Sequence, residues 1–374
     1  MSQQKQDVRS TASVFQPYTL GNLNLQSRIV MAPMTRGFSP NGVPGANVAA
    51  YYRRRAENGV GLIITEGTAI DHPAAVESPS IPNFHGEAAL NGWAEVVKQV
   101  HEAGGKIMPQ IWHVGMTRAV GSEPNPEALP IGPSGLDLNG NKVTEPMTVD
   151  EIHYVVKAYA DAAANAKRIG FDGVEIHGAH GYLIDQFLWE TTNQRTDEYG
   201  GDMMKRARFA IEVVKAVRAA VGPDFPVALR LSQWKTTKYD AKLADTPEKL
   251  EQLLTALADA GVDIFHASTR RFWEPEFEGS DLNFAGWAKK LTGKTVITVG
   301  SVGLDEAFTS LFTEGKGAGN KDINDLLDRL EKNEFDLVAV GRALLADPAW
   351  ATKVREGRFD DLQPFTPDAL KTLV

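Results

Sequence analysis

The chain contains no cysteine. That absence excludes disulfides, thiolate-bound iron–sulfur or zinc centres, and a cysteine nucleophile. There is also no run of about 20 apolar residues, the length a membrane-spanning helix needs. The opening stretch, MSQQKQDVRSTASVFQP, lacks the apolar core of a signal peptide, so a cytoplasmic location is expected. Positive charge is in the minority: 39 Lys and Arg against 48 Asp and Glu, a net −9. That sign opposes binding to nucleic acid or to an anionic membrane. The chemistry must therefore rest on His, Tyr, Arg, carboxylates or a bound cofactor.

What is present is a repeat. Short apolar runs recur at Arg28–Thr35, Gly61–Thr68, Lys106–His113, Phe171–Gly178, Phe225–Ser232, Val262–Ser268, Thr295–Val302 and Phe335–Arg342. Near-continuous apolar runs suit parallel strands covered on both faces. Their starts recur about every 44 residues, room for a strand, a loop and a helix. Helix signals lie between them. Thr148-Val-Asp-Glu151 reads as a capping box, and Thr246-Pro247 and Asp347-Pro348 as N-caps before a first-turn proline. Eight such units predict a (β/α)8 barrel, in one domain over 1–374 with its core at about 28–355. The rival, an open doubly wound sheet, wants a G-x-G-x-x-G turn after the first strand, and Ala32–Gly37 does not supply it. Tyr18–Arg28 alternates around Gly21-Asn22 and predicts a β-hairpin cap on the barrel's N-terminal mouth. Val114–Met147 and Thr269–Ser280 predict long loops after the third and sixth barrel strands.

Active sites of this architecture lie at the C-terminal strand ends. Polar residues and glycines collect there: Thr35, Gly67, Gln110 with Trp112 and His113, His177 with His180, Arg230, Ser268, Gly300-Ser301 and Gly341-Arg342. The last two pairs suit a phosphate, because glycines expose backbone N–H groups and arginine offers a planar fork. Parity points Arg230 into the barrel, where it can pair with Glu175, present a fixed charge to an electron-rich ring, or do both. His177-Gly-Ala-His180-Gly-Tyr182 brings two imidazoles and a phenol to one strand end. Such a trio can donate hydrogen bonds to a substrate oxygen while Tyr182 supplies a proton. Alternatively the histidines hold a metal for a hydrolase or lyase, with His113, His266 or Glu66 as further ligand. A nearby Arg230 repels a dication, which favours the donor reading and no metal. A non-catalytic binder of a phosphorylated ligand leaves the His/His/Tyr trio unexplained.

From about Phe15 to Trp350 the sequence resembles the Old Yellow Enzyme family of flavin-dependent ene-reductases. The likeness rests on HGAHGYLIDQFLWETTNQRTDEYGG at 177–201, RIVMAPMTR at 28–36, Gln110-Ile-Trp112, LRLS at 229–232 and VGRALLADP at 340–348. The resemblance implies a non-covalently bound FMN, with NADPH or NADH as electron donor. It implies that Ala32, Pro33, Met34, Thr35, Gly67, Gln110, His177 and Arg230 contact the ring system. Gly300, Ser301, Gly341 and Arg342 would hold the phosphate. His177 and His180 would bind the oxygen of an activated alkene, an α,β-unsaturated carbonyl or nitro compound, in a ping-pong cycle. Tyr182 would protonate its α carbon. Trp112 and Trp273 are expected to shape the substrate pocket. With no cysteine, the chain departs from relatives that carry one at the Thr35 position. The sequence fits a monomer and a homodimer equally.

Overall fold

The computed structural model describes residues 9–307 and 309–374; residues 1–8, part of the stretch read for a leader, lie outside that range. Two short strands, β1 (Tyr18–Leu20) and β2 (Leu23–Leu25), pair antiparallel across Gly21-Asn22. Eight parallel strands then close a barrel in chain order. They are β3 (Ile29–Met31), β4 (Leu62–Ala69), β5 (Lys106–Trp112), β6 (Val174–His177), β7 (Val227–Ser232), β8 (Ile264–Ser268), β9 (Thr295–Val299) and β10 (Leu337–Val340). β10 returns to β3 with Val338 beside Ile29. Each apolar run has become a strand, and the barrel expected from the repeat is the fold observed.

The apolar residues divide by parity, as a pleated strand requires. Val30, Leu62, Ile64, Met108, Ala228, Ile264, Ile297 and Ala339 fill the barrel interior. Their alternates, such as Ile29, Ile63, Ile107, Val174 and Leu229, pack outward against the helices. Leu23 and Leu25 of the hairpin join the interior set, and Tyr18 bonds Thr295, the first residue of β9, at 2.7 Å. The hairpin therefore caps the N-terminal end.

A short motif ties that end together. Asp172, Asp263 and Asp336 each follow an apolar residue just before a strand. Their carboxylates accept the N–H of Ile107, Val227 and Val296 at 2.8, 3.0 and 2.9 Å, on the strand before. The helix signals act as expected at Thr148, where both halves of the capping box form, and at Thr246. Asp347-Pro348 differs. Asp347 accepts from the Ala349 N–H at 3.1 Å within a turn, and the helix begins only at Trp350. Asp347 is occupied by Lys353 at 2.8 Å and by the Gln363 N–H, so it pins the chain after the helix rather than capping its start. Among the described residues, no helix is long and apolar enough to cross a membrane.

Candidate active site

The C-terminal strand ends open on one cavity of about 510 Å³, within the range of small-molecule sites. At the end of β6 the chain reverses through two left-handed residues, His180 at φ 65° and Gly181 at φ 82°. Glycine takes that conformation freely and histidine tolerates it better than most. The reversal folds the trio together. Ring centroids lie 5.2 Å apart for His177 and His180, and 4.9 Å apart for His177 and Tyr182. Trp112 stacks on His177 at 6.0 Å and meets Tyr182 edge-on at 5.0 Å. That stacking needs Gly67, where a Cβ would lie 2.4 Å from the Trp112 ring.

Protonation follows from burial. Burial, with Arg230 adding to it, holds both imidazoles well below the ordinary histidine range, so they are neutral at pH 7. His177 Nδ1 accepts the Ala179 N–H at 3.3 Å, leaving its one ring proton on Nε2. His180 Nε2 shares a 2.7 Å hydrogen bond with the Ser268 hydroxyl, and its backbone N–H donates to Ser232 Oγ at 2.9 Å. Burial pushes the Tyr182 phenol up to about 12, so it stays protonated.

Arg230 is buried at the end of β7 and its Nε has no hydrogen-bond partner. Glu175, the expected partner, is taken by Gln110 Nε2 at 2.8 Å and by His266 Nδ1 at 2.7 Å. Arg230 and Glu175 therefore make no direct ion pair, although Glu175 still favours the charged guanidinium from a distance. The metal candidates are likewise engaged elsewhere. His113 bonds His72 at 3.0 Å, and Glu66 accepts the N–H groups of Arg36 and Gly37 at 2.9 and 3.0 Å. Among the described residues, no three potential ligands gather.

At the ends of β9 and β10 the backbone is unusual. Gly300 has φ 146°, and a Cβ there would meet Thr269 Oγ1 at 2.5 Å. Arg342 donates to the Glu306 carbonyl at 2.6 Å and to Ser301 Oγ at 3.3 Å.

Ala32, Pro33, Met34, Thr35, Gly67, Gln110, Trp112, His177, His180, Tyr182, Arg230, Gly300, Ser301, Gly341 and Arg342 all line this cavity. Trp273 does not. It packs edge-on against Phe272 at 5.2 Å, with Lys321 4.2 Å above its ring. An aromatic in a charged loop packs as readily under a lysine stem as over a ligand, and here the former holds. Several lining residues lay outside the sequence reading: Arg36, Trp234, Thr236, Phe365 and Leu370. Trp234 stacks on His180 at 4.6 Å. Its position two residues beyond Ser232, a strand end, was the available signal.

A family profile described as the NADH:flavin oxidoreductase / NADH oxidase family matches residues 13–361. The chain belongs to that family, the Old Yellow Enzymes. It is 33% identical over 360 residues to an NADH oxidase of Thermoanaerobacter brockii, covering 94% of this chain and 52% of the relative. The chain thus spans about half the length of that protein. It is 34% identical over 358 residues to 12-oxophytodienoate reductase 2 of Arabidopsis thaliana, covering 91% of this chain and 88% of the relative. Morphinone reductase in complex with tetrahydroNAD superposes with a TM-score of 0.80 at 32% identity, covering 96% of this chain and 93% of that one.

Old Yellow Enzymes are FMN-dependent and use NADH or NADPH. The residues of this cavity fit that cofactor. The unpartnered Nε of buried Arg230 suits an electron-rich ring edge. Gly341 is open, with nothing nearer its Cβ position than Met34 Sδ at 3.5 Å, and it stands beside Arg342 where a phosphate needs N–H groups and a cation.

Proposed function

We propose that this protein reduces the activated C=C bond of α,β-unsaturated carbonyl or nitro compounds at the expense of NADPH or NADH. The observation that carries this is the convergence of His177, His180 and Tyr182 in one cavity with buried Arg230, whose Nε has no hydrogen-bond partner. FMN, when bound, supplies two-electron exchange between nicotinamide and alkene, which use the cavity in turn in a ping-pong cycle. Gln110 and Arg230 would hold the pyrimidine side of its ring and Thr35 its carbonyl edge; Ala32, Pro33, Met34 and Gly67 would line it. Gly300, Ser301, Gly341 and Arg342 would hold its phosphate.

The remaining work falls to the trio. His177 donates from Nε2 to the alkene's carbonyl or nitro oxygen. His180, whose Nε2 shares a hydrogen bond with the Ser268 hydroxyl, donates likewise from Nδ1 in the tautomer in which Ser268 is the donor. Two neutral donors stabilise the negative charge that develops on that oxygen, while Trp112 walls the pocket. Tyr182, protonated at neutral pH, transfers its proton to the α carbon and is reprotonated from solvent.

Tyr182→Phe tests this assignment by separating the two half-reactions. Alkene reduction is expected to slow by about 100-fold or more, the scale of general-acid catalysis, while flavin reduction by NADPH stays near wild type. Equal loss in both half-reactions would contradict the role given to Tyr182.

A further inference from the structure

Four arginines line the cavity, Arg36, Arg230, Arg270 and Arg342, and among the described residues no Asp or Glu does, in a chain of net charge −9. Such a site attracts anions against the charge of the molecule around it. Three of the four have occupations. Arg36 donates to the carbonyls of Ala369, Leu370 and Thr372 at 3.2, 3.3 and 2.8 Å. Arg342 is held by Glu306 and Ser301, and Arg230 faces the ring site.

Arg270 remains. Its guanidinium lies 4.9 Å over the Tyr239 ring, and no carboxylate pairs with it among the described residues. Its neighbour Arg271, by contrast, is paired with Glu274 at 3.1 Å. The position of Arg270 is informative. It follows Ser268, the partner of His180, by two residues. The Tyr239 ring beneath it lies 6.0 Å from Trp234, which stacks on His180. The cation and the oxygen clamp share one wall. A guanidinium steadied on an aromatic face, and not neutralised, presents its fork to an oxyanion.

We propose that Arg270 forms an anion-binding subsite on the clamp wall of the cavity, taking a carboxylate or phosphate carried by the ligand. This rests on the functional reading above and narrows it. The preferred alkenes carry an anionic tail, or else the anion is the 2′-phosphate of the electron donor.

Calorimetry on the flavin-loaded protein distinguishes these sources. Saturated ketones, the ω-(2-oxocyclohexyl)alkanoic acids of increasing chain length and their methyl esters, bind without turning over. At the best length the carboxylate is expected to bind about five- to tenfold tighter than its ester, less so at high salt. Arg270→Gln brings that ratio to near one and Arg271→Gln preserves it. In a second arm, the ratio of NADP+ to NAD+ affinity is compared in the same proteins. If Arg270→Gln moves that ratio and not the first, the subsite serves the electron donor. If Arg270→Gln moves neither, the subsite is refuted. If wild type binds no ketone of either kind, the clamp reading fails, and the nucleotide arm alone decides the subsite.

Discussion

Glu66 illustrates how much one side chain sets at this site. It sits where the β4–β5 register shifts between Ile64 and Gly67, and its carboxylate gathers the N–H groups of Arg36 and Gly37. That fixes the turn leaving Thr35, which lines the cavity. Burial raises the Glu66 carboxyl from 4.5 to about 7, against the pull of the two N–H donors. A folded pKa above the unfolded one contributes stability that is full below pH 4.5 and lost as pH rises through about 7. Glu66→Gln has no such dependence and its amide oxygen can still accept. Relative to wild type, the variant should therefore gain on the order of 3 kcal/mol between pH 4 and 8, read from urea midpoints. A difference that is flat across that range would contradict this reading of Glu66. Burial acts oppositely on His177 and His180, which it keeps neutral, as the donor role proposed for them requires.

Among the elements, the segment after β7 joins two distant stretches. Lys235 and Asp185 have fully buried side chains paired at 2.8 Å. The other carboxylate oxygen of Asp185 accepts the Gly181 N–H at 2.7 Å, inside the turn between His180 and Tyr182. Thr236 donates to the His180 carbonyl, through its backbone N–H at 3.4 Å and its hydroxyl at 3.2 Å. Removing one member of a buried pair strands the other charge. Lys235→Met should thus cost about 3–5 kcal/mol in urea unfolding, and adding Asp185→Asn should restore most of it. A single variant within about 1 kcal/mol of wild type would show the pair to be dispensable.

The strands were legible in the sequence because a parallel strand buried on both faces writes itself as an apolar run, as in Phe225–Ser232. The ring of site residues was legible because the fold gathers strand ends. This segment was not. Trp234, Lys235 and Thr236 open a polar stretch, WKTTKYDAK, that reads as solvated surface. Only the partner Asp185, 50 residues earlier, makes Lys235 internal. Phe365 and Leu370 were missed for the same reason, since they reach the cavity from beyond the repeat. Trp273 failed in the other direction, a loop aromatic whose partner, Lys321, is far along the chain.

For the whole molecule, the barrel separates stability from chemistry. Its N-terminal end is closed by the hairpin and by Asp172, Asp263 and Asp336, each accepting a strand N–H. Its C-terminal end carries the cavity with its arginines, neutral histidines and protonated phenol. A visible absorption spectrum of the purified protein, before and after anaerobic NADPH and then after an enone, is the most direct test of the flavin-linked assignment. The expected result is a flavin spectrum that bleaches with NADPH and returns with the enone. A protein that stays colourless after incubation with FMN, or whose reduced flavin is not reoxidised by any activated alkene, would contradict it.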